Sequence, residues 1–142
     1  MWRLHRYWTF VKDRRASFSF TLGSIGYGIY HFFNGNVLAY SDAYFALDKI
    51  LGILGGRYLG ILFVLLGSIK LVGLFTDNIY LKLPIYFALL FMWVLLGVCF
   101  LISFLQGFQN AAWVYCFMIA ALSTSVIPSN PLIYQGEEKR NE

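Results

Sequence analysis

Four long stretches carry no charge apart from one lysine, and this constrains the chain more than any other feature. A bilayer core about 30 Å thick needs roughly 20 helical residues, and it leaves no water to satisfy open backbone groups. Ala16 to Phe33, Tyr58 to Phe75, Leu83 to Leu105 and Ala111 to Ile127 meet that demand, and only Lys70 places a charge inside one of them. Of the 142 residues, 59% are hydrophobic and 13% charged, against roughly 45–50% and about 25% in soluble domains. So few charges do not clothe a soluble domain of this size. An aromatic content of 20% argues against disorder. The basic excess behind the net charge of +4 sits mainly in the first fifteen residues, which argues against a nucleic-acid partner. The expected fold class is all-α: a polytopic integral membrane protein, a bundle of four transmembrane helices with a short amphipathic or re-entrant outer helix. The lipid bilayer is its first partner, and a bacterial cytoplasmic membrane its expected location.

Three regions follow: residues 1–15 as a basic amphipathic N-terminal segment, 16–127 as the transmembrane domain and 128–142 as a tail. Positive residues are retained in the cytoplasm. Arg3, Arg6, Lys12, Arg14, Arg15, Lys82, Lys139 and Arg140 fall on one side, and only Lys49 and Arg57 on the other. Both the N- and C-termini are therefore expected to be cytoplasmic. Met1, Leu4, Tyr7, Trp8 and Val11 share a helical face, with Arg3, His5, Arg6 and Lys12 elsewhere. An interfacial helix on an anionic leaflet and a solvated basic start both fit. Val37-Leu38-Ala39 offers small residues for signal-peptide cleavage, but the apolar stretch before it is longer than the usual 7 to 15 residues and favours an uncleaved anchor. Pro84 is expected in the first turn of the third span, with Pro128 and Pro131 as stop signals after the fourth.

The segment from Ser41 to Gly56 is too short to cross the core. It reads as a short helix capped by Ser41 or Asp42, with Ser41, Asp48, Gly52 and Gly55 near one face and Gly55-Gly56 as a hinge.

Inside the spans, Lys70 demands a reason, since a cation at membrane depth costs at least a few kcal/mol on insertion scales. Snorkelling to the cytoplasmic headgroups is one reading. It is awkward, because side chains lean toward their helix N-terminus, here toward the bilayer centre. The other reading turns Lys70 into the bundle, where Thr21, Ser24, Ser123 and Thr124 approach its depth and form a candidate polar cluster with it. Ser17, Thr21, Ser24, Gly28 and His31 make a small-and-polar stripe suited to joining helices, and no Asp or Glu lies in any span. Gly52, Gly56 and Gly60 recur every four residues, Val64 and Ser68 continue the line and Gly67 lies beside it. This is a candidate helix-packing seam, either between copies of the chain or within it against the stripe of the first span. Cys99 and Cys116 lie at similar depths and read as packing residues, while His31 reads as a packed or interfacial histidine. Neither a metal-ligand pattern nor a C-x-x-C, phosphate-loop or nucleophile-elbow motif is present, so no catalytic, metal or cofactor-binding residue is expected and the chain reads as non-enzymatic.

The run Arg57-x-x-Gly60-x-x-Phe63-x-x-x-Gly67-x-x-Lys70-Leu71 resembles the Gly, Phe, Gly, Lys pattern in the first helix of DoxX-type small four-helix membrane proteins, although here it sits in the second span with the Arg spacing one short. The resemblance covers about fifteen residues. It implies a four-helix bundle, with redox or quinone-linked association in some members, and Lys70 and Arg57 near whatever site exists. Three functions remain open. The first is a bundle acting by association with itself or another membrane protein. The second is a permeabilising, holin-like protein, which needs a hydrophilic helix face that only the first span approaches. The third is a small carrier or redox-associated subunit, resting on Lys70, the cysteines and the DoxX-like run.

Overall fold

The structure is a computed structural model and describes residues 15–39, 44–51, 57–76 and 78–124. They form five helices: α1 (Arg15–Ala39), α2 (Phe45–Leu51), α3 (Arg57–Phe75), α4 (Ile79–Leu105) and α5 (Ala112–Ser123). The chain is all-α, with four principal helices and one short one, the number read from the sequence. Two of them, Arg57–Phe75 and Tyr80–Leu105, are long and apolar enough to cross a membrane. The residues before Arg15 and after Thr124, together with Ser41, Asp42, Gly52, Gly55, Gly56 and Asp77, lie outside the described residues. So do Pro128 and Pro131 and the expectations resting on them.

Helix boundaries follow local chemistry more closely than they follow charge. α1 continues six residues past Phe33, through Asn34, Gly35 and Asn36, even though Asn-Gly is a turn signal. The Asn34 side chain donates to the Tyr30 carbonyl at 2.9 Å, one turn back. α4 begins at Ile79, four residues before the expected Leu83, since Asn78 is its N-cap and its side chain accepts from the Tyr80 N–H at 3.0 Å. Pro84 consequently lies inside the helix rather than in its first turn, a correction to the sequence reading. Lys82 had marked the edge of an apolar stretch, which is not the edge of a helix. At the other end Gly107 takes φ +96, where its N–H donates to the Phe104 carbonyl (3.0 Å) and the Phe108 N–H to the Ser103 carbonyl (3.1 Å). That pair is a Schellman closure, and it satisfies the Ser103 and Phe104 carbonyls as the chain turns toward α5.

α1 and α3 run antiparallel and make the most extensive helix pair. A Cβ placed on Gly28 would stand 2.7 Å from the Gly60 carbonyl oxygen, and one on Gly60 would stand 2.7 Å from both the Gly28 oxygen and the Phe32 nitrogen. Backbone therefore meets backbone here, a closeness only glycine permits. α4 packs on α3 and on α5, α2 rests against α4, and α1 touches α5 lightly to close the bundle. The shared core holds Phe20, Leu59, Phe63, Tyr86, Leu89, Trp93, Leu96 and Phe100.

Candidate functional site

Antiparallel packing gives the bundle two ends. One carries α2, the end of α1 and the start of α3. The other carries the start of α1, the end of α3 and the start of α4, and Lys70 lies there. The buried polar groups divide between these ends.

At the α2 end, His31 is fully buried. Its Nε2 lies 2.8 Å from the Tyr27 hydroxyl and 3.1 Å from the Tyr44 hydroxyl. Tyr27 sits one turn before His31 on α1, whereas Tyr44 arrives at the start of α2, so the histidine ties the short helix to the bundle. Ser103 on α4 adds a second tie, its Oγ accepting from the Ala46 N–H at 3.3 Å. That N–H belongs to the first turn of α2 and has no partner within the helix. Rings complete the join: Tyr44 meets Phe100 edge-on with centroids 5.0 Å apart, and Tyr27 stacks between His31 (4.6 Å) and Trp93 (4.9 Å). Burial pushes the Tyr44 hydroxyl above the usual tyrosine range, so it remains a hydrogen-bond donor at neutral pH.

Further along the bundle, Trp93 Nε1 donates to Ser24 Oγ at 3.0 Å, and Ser24 donates in turn to the Phe20 carbonyl at 2.8 Å. Thr21 donates to the Ser17 carbonyl at 2.7 Å. Every one of these hydroxyls bonds backward along its own helix.

Lys70 is the exception. Its side chain is 1% exposed, which excludes snorkelling in this structure, and among the described residues its Nζ has no hydrogen-bond partner. Two aromatic faces flank it: Nζ lies 4.3 Å from the Phe20 ring centroid and 5.0 Å from that of Tyr86. The rings themselves are in contact, with centroids 5.8 Å apart. A desolvated cation–π contact contributes about 2 kcal/mol, comparable with the roughly 2.5–3.5 kcal/mol that insertion scales assign to a charge at the centre of a membrane helix. Aromatic faces therefore offset much of the burial cost but leave three N–H donors unmet.

The sequence-derived cluster is only partly assembled around this ammonium. Thr21, Ser24 and Ser123 are buried and Thr124 is exposed. Ser123 Oγ donates to the Ala120 carbonyl at 2.7 Å, and Thr124 Oγ1 to the Ala121 carbonyl at 2.6 Å. Tyr86 links the cluster to α5, its hydroxyl donating to the Ser123 carbonyl at 3.1 Å. None of the four hydroxyls bonds Lys70; the phenyl and phenol rings beside it were the residues the sequence reading missed. A signal for them exists in the spacing. Phe20 and Tyr27 on α1, and Tyr86 and Trp93 on α4, are each seven residues apart, as an inward helix face requires.

The glycine seam also divides. Gly60 lies against Gly28, and a Cβ on Gly67 would meet Ile25 Cγ1 at 2.5 Å, so both face α1 within the chain. Ser68 is exposed, and Gly52 and Gly56 lie outside the described residues. Cys99 and Cys116 are free, buried thiols in the apolar core. Arg57 is exposed at the α2 end of α3, thirteen residues or about 20 Å from Lys70. Among the described residues no group of three or more His, Cys, Asp or Glu side chains is placed to hold a metal ion. No protein-family model matches the chain, and no curated protein or solved structure matches it either.

Proposed function

We propose that the chain is an integral membrane protein, a bundle of four spans with both ends cytoplasmic and α2 on the outer face, which works without catalysis by holding a bound group against Lys70. The membrane part of this reading is supported by where the apolar surface lies. The most apolar windows of α3 and α4 are only 39% and 44% buried inside the bundle, unlike those of a soluble protein's core helix, and the rest of their surface needs an apolar surrounding. Phe75, Phe91, Leu105, Tyr115 and Leu122 are each more than half exposed. Water is a poor solvent for such a surface, and lipid is a good one.

The observation that carries the functional part is the unpartnered, buried Lys70 between two rings. This favours the carrier-type reading over the other two. Association through the glycine series has less to use, because Gly60 and Gly67 are already covered by α1. A permeabilising protein needs a hydrophilic outer face, yet the stripe of α1 turns Thr21, Ser24, Gly28 and His31 inward. Two measurements test the proposal. Alkaline carbonate should leave the chain in the membrane pellet, and release into the supernatant would remove the membrane reading. After mild-detergent purification, wild type should carry a stoichiometric bound species that Lys70→Met lacks. Identical preparations would remove the binding reading.

A further inference from the structure

We infer that the group held at Lys70 is a phosphate-bearing anion, supplied by the headgroup of an acidic phospholipid from the cytoplasmic leaflet. The inference rests on the membrane reading above and goes beyond it in naming the ligand and the side of entry.

The first argument is charge. α1, α3, α4 and α5 contain no acidic residue, so no carboxylate on these helices neutralises the ammonium from within the bundle. Its three N–H donors are unused among the described residues. A lysine ammonium acts as a point charge toward phosphate and does not need the planar geometry an arginine would impose.

The second argument is depth. Lys70 lies five residues, about 7.5 Å, before the end of α3. Because the 19 residues of α3 match the thickness of a bilayer core, that puts Lys70 within the hydrocarbon but nearer its cytoplasmic edge than its midplane. The apolar walls of Phe20 and Tyr86 suit a ligand whose charged head continues into hydrocarbon, and they suit a freely soluble ion poorly. The third is the electrostatics of this end. Arg15, which is exposed, opens α1 there. Basic residues at a cytoplasmic membrane surface attract acidic lipid. The headgroup would enter between α1 and α5, the pair that touches only lightly.

The test uses full-length protein extracted from membranes into a mild detergent, with native mass spectrometry and thermal unfolding as readouts. Three probes are compared: phosphatidylglycerol, phosphatidylcholine and inorganic phosphate. Wild type is expected to retain phosphatidylglycerol in preference to phosphatidylcholine, and to gain thermal stability from it. Lys70→Met should lose that retention by roughly tenfold or more, the factor expected for one charge-assisted hydrogen bond. Lys70→Gln is the second variant, should the first prove hard to purify. Stabilisation of wild type by inorganic phosphate alone, to the same extent, would overturn the lipid source and assign the site to a soluble anion. Equal retention of both lipids by wild type, or equal retention of phosphatidylglycerol by wild type and variant, overturns the inference without touching the carbonate result that tests the membrane reading.

Discussion

The two ends of the bundle handle buried polarity in opposite ways. At the α2 end His31 meets the Tyr27 and Tyr44 hydroxyls and Ser103 accepts from the Ala46 N–H, so hydrogen bonds tie α2 and the residue before it to α1 and α4. At the opposite end Lys70 brings a charge of higher desolvation cost into the bundle and receives only ring faces. A hydrogen-bonded polar network fixes the position of the elements it joins, here docking a seven-residue helix that could not hold its shape alone. An unsatisfied charge fixes nothing and is costly to keep. The first arrangement accounts for architecture, and the second asks for a ligand.

The largest effect should come from attacking the close crossing that the α2 end is built on. Gly60→Leu would drive a side chain into the backbone of α1 at Gly28 and Phe32. Overpacking against backbone should cost about 3 kcal/mol or more, read as loss of monodisperse protein in detergent. A Gly60→Leu protein that folds normally would break the claim that α1 and α3 meet backbone to backbone. Next comes Lys70→Met, of the opposite sign. Removing a charge whose burial cost the ring faces offset only in part, while keeping side-chain length, should stabilise the ligand-free bundle by about 0.5–1.5 kcal/mol, raising its thermal midpoint in detergent. If the substitution destabilises the bundle instead, the ammonium has a structural partner and the contrast between the two ends collapses.

Tyr44→Phe sharpens the account of the α2 end. It removes one hydrogen bond to His31 and should cost about 1 kcal/mol, seen as faster hydrogen exchange in Ala46 to Leu51 with α3 and α4 unaffected. The same hydroxyl gives a pH signature. Because burial raises its folded-state pKa, its contribution is fully present below the ordinary tyrosine pKa of 10.0 and is lost as pH rises beyond it. Protection of α2 should therefore fall at alkaline pH in wild type, and less so in Tyr44→Phe. The smallest effect is a control. A Cβ on Gly26 would have nothing within 4 Å, and this residue stands in the interior of α1, so Gly26→Ala should stabilise by about 0.5–1 kcal/mol through helix propensity alone.

Much of the architecture was legible because hydrophobic runs and helix punctuation are local signals. The cap at Asn78 and the turn at Gly107 could be found by inspecting a few neighbouring residues, although charge at Lys82 masked the first. The interior was less legible, because it depends on which faces meet. The sequence placed Thr21, Ser24 and Ser123 at the depth of Lys70, and they are buried there, but their hydroxyls had nearer acceptors on their own helices. The rings of Phe20 and Tyr86 were invisible as partners, since aromatics are frequent throughout the chain and only the packing of α1, α3 and α4 selects these two. The glycine series offered a candidate seam with two possible partners, and of its members the structure sets Gly60 against Gly28 and Gly67 against Ile25.

The most direct test of the central claim is the placement of the two turns across a membrane. Thr76, between α3 and α4, and Gln109, between α4 and α5, are both exposed and lie at opposite ends of the bundle. In a background with Cys99 and Cys116 replaced by alanine, Gln109→Cys should react with a membrane-impermeant maleimide in intact cells, and Thr76→Cys only after the membrane is opened. Equal labelling of both in intact cells, or labelling of Thr76→Cys alone, would contradict a bundle that spans the membrane with the Lys70 end inside.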